Sequence, residues 1–94
     1  LDAVPASIEP LAVQEFLRQL PQVDQVHDLH IWAMSTTEVA LTAHLVMPAG
    51  HPGDRFLAHT AHQLADQFGI HHTTLQIEMG DSEQPCHLAA DSHV

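Results

Sequence analysis

The chain has 94 residues, enough for one domain, and its 45% apolar content suffices for a small core. Two basic residues, Arg18 and Arg55, stand against twelve acidic ones for a formal charge of −10, which excludes a nucleic-acid binder or a polybasic membrane patch, since both need clustered cations. A single cysteine, Cys86, excludes an internal disulfide framework, and no apolar run nears the ~20 residues of a membrane helix.

Residues 1–7 read as a linker, with neither the basic region nor the apolar block of a signal peptide. The start at Leu1 suggests a soluble domain excised from a larger parent. Ser7 is the expected N-cap of a helix over residues 8–20, where Val13, Phe16, Leu17 and Leu20 recur at helical spacing and Pro21 ends the run. Residues 25–34 read as a strand, 35–38 as a turn and 39–47 as a second strand ended by Pro48. Both strands look apolar on both faces, so the face away from the helices needs a cover, and a second copy could supply one. After a loop over 48–53, a second helix starts at Asp54, carries Leu57, Ala61, Leu64, Ala65 and Phe68 on one stripe, and closes at Gly69. Residues 73–79 make a third strand. The domain therefore spans 8–80, and residues 81–94 form a polar tail rich in ligand types, including Asp81, Glu83, Cys86, His87, Asp91 and His93. The order αββαβ predicts an α+β two-layer sandwich: a three-stranded sheet with two helices on one face, like a ferredoxin-like unit lacking its first strand.

Ten histidines beside twelve carboxylates, with lysine absent, are the anomaly of the composition. Imidazole is the commonest metal ligand, and this density in a short acidic chain points to divalent cations. Pairing Met34 with Val39 sets His27 opposite Val46 and His44 opposite Leu29, all on one face. The two histidines become diagonal neighbours roughly 7 Å apart, within reach of one ion, unless a one-residue bulge intervenes. His30 then points to the other face with Asp28 and Trp32. His71 and Glu78 lie at opposite ends of the third strand, about 23 Å apart at ~3.3 Å per residue, and could serve sites shared across a two-fold dimer. His59, His62 and Asp66 share a flank of the second helix, either as a solvated face or as a secondary site. Cys86 and His87 put a soft ligand beside a nitrogen ligand in the tail. Catalysis gathers no support: there is no phosphate-binding glycine loop, and sequence adjacency does not make Cys86 and His87 a catalytic pair.

The run Val26-His27-Asp28-Leu29-His30-Ile31-Trp32, then Leu41-Thr42-Ala43-His44-Leu45, then His71 and Leu75-Gln76-Ile77-Glu78, resembles the cytoplasmic C-terminal domain of the cation diffusion facilitator family. The likeness is greatest to the bacterial zinc, cobalt and cadmium resistance exporters and the animal zinc transporters, and it covers about residues 8–80. It implies a metallochaperone-like fold and a homodimer covalently attached below a transmembrane domain, at the cytoplasmic face of the bacterial inner membrane. It also implies zinc-class ions at or near the dimer interface: Zn2+ first, with Cd2+, Co2+, Ni2+ and Cu2+ left open. His27, His44, His71 and Glu78 match ligand positions of the family, and His59 matches a further one more loosely. The tail departs from relatives with a Cys-x-x-Cys pair, since only Cys86 is present, with His87 beside it. The expected role is a regulatory metal sensor of an efflux transporter. A free-standing metal buffer and a bare dimerisation module are the alternatives.

Overall fold

The computed structural model describes residues 7–80. Five elements follow in the order α1 (Pro10–Arg18), β1 (Gln25–Ala33), β2 (Val39–Val46), α2 (Asp54–Phe68) and β3 (His72–Glu78). The α+β sandwich is thus the one expected, a three-stranded sheet with two helices. Helix α1 is shorter than the periodicity suggests. Its N-cap is Glu9 rather than Ser7: the Glu9 carboxylate accepts from the Leu11 N–H at 3.2 Å, and Pro10 occupies the first turn, where no amide hydrogen is needed. Ile8, just before the cap, is buried in the core with Val13, a staple that fixes how the chain enters the helix.

Helix α2 begins at Asp54, as the sequence suggests, and ends on Gly69 at φ 71°, whose N–H reaches Ala65 O while Ile70 N–H reaches Leu64 O. This left-handed cap turns the chain directly into β3. The sheet order is β1-β2-β3. β1 and β2 run antiparallel, while β2 and β3 run parallel, with α2 as the crossover that a parallel pair requires. The central strand, with Met47 just beyond its end, supplies the floor of the core through Leu41, Ala43 and Leu45, all essentially inaccessible, beneath Val13 and Leu17 of α1 and Leu64 of α2. Phe16 and Phe68 meet edge to face at 5.7 Å and tie the two helices together.

The hairpin register differs from the one expected. Met34 N–H bonds Glu38 O, so Ala33, not Met34, pairs with Val39. The register then shifts again between His27 and His30, where Asp28 and Leu29 together stand opposite Ala43. Asp28, at φ 53°, is the extra residue of this β-bulge. Its cause lies in the core: Val26 and Ile31 both pack on it, yet five residues apart they would face opposite ways on a regular strand. The bulge absorbs one residue and turns both inward.

Four rows of side chains then line the sheet face away from the helices. They are Gln25, Val46 and Glu78; His27, His44 and Gln76; His30, Thr42 and Thr74; and Trp32, Ala40 and His72. Only Trp32, Ala40 and Val46 are apolar. The expectation of two apolar faces is therefore corrected: the helix-free face is mainly imidazole, amide, hydroxyl and carboxylate. No helix among the described residues is long and apolar enough to cross a membrane.

Candidate metal centre

The bulge decides which histidines meet. On its far side His27 pairs directly with His44, closer than the diagonal arrangement expected, and the ring centroids lie 5.1 Å apart. Glu78, the last residue of β3, sits one row further along the same face and leans back over the central strand. Its Oε1 lies 2.7 Å from His27 Nε2 and its Oε2 2.8 Å from His44 Nδ1. One residue from each strand thus contributes to a single cluster within one chain. The side chains are half-buried, His44 being the deepest at 15% exposed.

One ligand atom from each of His27, His44 and Glu78 falls within 4.8 Å of the others, near enough for one ion to be held by all three. Around a tetrahedral zinc, ligands at ~2.0–2.2 Å stand about 3.3 Å from one another, so small side-chain rotations suffice. The donor set is chemically apt, since two imidazole nitrogens and one carboxylate oxygen suit zinc and its neighbours. His44 Nδ1 is buried and makes no hydrogen bond among the described residues, although Glu78 Oε2 lies 2.8 Å away as an ion-pair contact. A buried ring nitrogen left this way is costly unless it has a partner, and a cation between the two groups would be one. Three protein ligands leave a fourth position open to water or to another protein group.

His30, Asp28 and Trp32, expected on the face opposite His27, are all brought to its face by the bulge, and Asp28 lies at the cluster. Its Oδ2 is 3.4 Å from His44 Nδ1 and 3.6 Å from His27 Nδ1. The odd spacing of Val26 and Ile31 is the sequence signal that points to it. The other sequence candidates lie elsewhere. His71 is exposed just before β3, with its amide bonded to Val39 O, and His59 is exposed on α2 along with His62 and Asp66. The structure does not bring these residues to the His27–His44–Glu78 cluster within one chain. His51 turns Nδ1 onto the Gly53 amide, a loop contact. His72 pairs with Glu38 at the other end of the sheet. Cys86 and His87 lie outside the described residues. The groove between α2 and β3, lined by Leu57, Ala61, Thr73, Thr74 and Leu75, carries no titratable side chain.

The profile of the cation efflux protein cytoplasmic domain matches residues 5–80. The chain belongs to this family. Among the relatives of this cation-efflux domain is the metal cation efflux system protein CzcD of Cupriavidus metallidurans, 36% identical over 85 residues, which are 89% of this chain and 27% of that protein. The zinc transporter ZitB of Shigella flexneri is 33% identical over 93% of this chain and 26% of its own length. The cation-efflux domain therefore spans about a quarter of the length of these two relatives. Among solved structures, the metal-bound C-terminal domain of CzcD from Cupriavidus metallidurans superposes with a TM-score of 0.67 at 36% identity, over 76% of this chain and 99% of that one. These relatives are named for efflux and transport rather than for catalysis.

Proposed function

We propose that this domain is the cytoplasmic metal sensor of a zinc-class cation exporter of the bacterial inner membrane. It binds a divalent ion through His27, His44 and Glu78 and works as a homodimer whose shape depends on that ion. The observation that carries the reading is the convergence of three ligand side chains, two imidazoles and one carboxylate, from three strands on the helix-free face, with a buried ring nitrogen left without a hydrogen bond. CzcD and ZitB, named as a metal cation efflux protein and a zinc transporter, support the substrate class.

The fourth ligand comes from outside the cluster. His59 or His71 of a second copy is one source, and Cys86 or His87 of the tail is another. The net charge of −10 makes two copies repel, and ions bound near their interface offset that repulsion and favour a more compact dimer. The ion biases the dimer only by its differential affinity for the two shapes, and reversing a 1:99 balance takes about 5.5 kcal/mol. Transport itself belongs to membrane helices of the parent, to which residues 1–7 form the link.

The test is a calorimetric zinc titration with small-angle scattering on apo and loaded samples. At least one zinc per chain and a smaller loaded dimer are expected. The double variant His27→Ala, His44→Ala should lose both effects. Binding without a change of shape would mark a metal buffer, and a dimer that binds no zinc would mark a dimerisation module.

A further inference from the structure

The bulge in β1 has a second outcome besides pairing His27 with His44. On a regular strand Asp28 would point into the core. As the extra residue at φ 53° it is turned out of the alternation, and its carboxylate reaches the helix-free face beside both rings. Bulges commonly re-aim a side chain next to a site in this way.

The two nitrogens of the His27 ring point away from each other, and each faces a different carboxylate. Nε2 meets Glu78 Oε1 at 2.7 Å, on the side where His44 and Glu78 converge, while Nδ1 faces Asp28 Oδ2 at 3.6 Å. An ion held with His44 and Glu78 takes Nε2. The ring is neutral when it ligates, so its remaining proton is then on Nδ1, toward Asp28. Ligating histidines characteristically donate that second N–H to a carboxylate or carbonyl, which fixes the ring's tautomer and orientation.

We infer that Asp28 is the positioning residue of the metal centre: its carboxylate accepts the His27 Nδ1–H and so holds Nε2 toward the ion, an inference that rests on the metal-binding reading above. The 3.6 Å separation is longer than a hydrogen bond. Closing it to the ~2.8 Å of a charge-assisted bond requires a shift of roughly 0.8 Å. Asp28 also lays negative charge beside His44 Nδ1, the deeper ligand atom.

The experiment compares the full chain with Asp28→Gly and Asp28→Asn. Glycine and asparagine both accept a positive φ, so the bulge persists in either variant, as amide spectra will verify. Zinc affinity is read by calorimetry, and the protonated ring nitrogen of His27 by 15N–1H NMR of the zinc-loaded chain. D28G should bind zinc roughly 10–100-fold more weakly and lose the slowly exchanging His27 Nδ1–H signal. D28N, which keeps a neutral acceptor, should fall between D28G and wild type and retain the signal at a shifted position. A wild type that binds zinc with D28G equally tight and its Nδ1–H unchanged would overturn this inference alone. A wild type that takes up no zinc would overturn the metal reading and this inference with it.

Discussion

Zinc should stabilise this fold by mass action, and the reason is where the proposed ligands sit. His27, His44 and Glu78 come from three different strands, and His27 and Glu78 are 51 residues apart in the chain. In the unfolded polypeptide nothing holds them together, so the ion binds the native state with little competition. At a free zinc concentration one hundred times Kd, the stabilisation is about 2.7 kcal/mol. For a domain of this size each kcal/mol moves the midpoint by about 4–8 °C, so the expected rise in Tm is on the order of 10–20 °C. Differential scanning calorimetry with zinc and with a chelator measures it, at one fixed protein concentration because a dimer's Tm depends on concentration. His44→Ala should reduce the rise to a few degrees or less. An equal rise in that variant would place the ion elsewhere, and no rise in wild type at saturating zinc would refute the assignment of the site.

Glu78→Gln removes the one charged ligand and should weaken zinc binding while leaving the urea midpoint of the zinc-free chain nearly unchanged. Leu64→Ala opens a cavity beneath α2, where the side chain is fully buried, and should cost about 2–5 kcal/mol in urea unfolding. Gly80→Ala would set a Cβ 2.9 Å from Val46 Cγ1 at φ 74°, in the row that holds Glu78; it should cost more than about 1 kcal/mol and lower zinc affinity as well.

Helix α2, its glycine cap and the sequence of elements are legible because periodicity and capping are local signals. The start of α1 is less so: Ser7 is the better cap by type, but Pro10 suits the first turn and Glu9 then has the position to accept. The shared face of His27 and His44 follows from the sequence only because two one-residue register errors add to two, which leaves the face of each histidine unchanged. The hairpin turn is one residue longer than its sequence suggests, and the bulge shifts the register once more, so parity at the histidines is restored. Asp28 lies within the bulge, where the second shift is not yet complete, and simple alternation assigns it the wrong face. Glu78 looks suited to act across a dimer rather than beside His27, because nothing local in β3 announces that its end reaches back over β2. That is a long-range property of the parallel pairing.

The chain's single tryptophan shares the helix-free face with the cluster, but at the other end. From the His44 row to the Trp32 row is four residues of β2, about 13 Å at ~3.3 Å each. Indole emission moves to the blue when water is excluded from the ring, and Trp32 is half-buried now. The domain thus carries its own optical gauge of occlusion. An ion seated at the cluster leaves the colour of that emission unaltered, whereas a body laid across the whole face changes it, so loading and coverage can be followed separately in unlabelled protein.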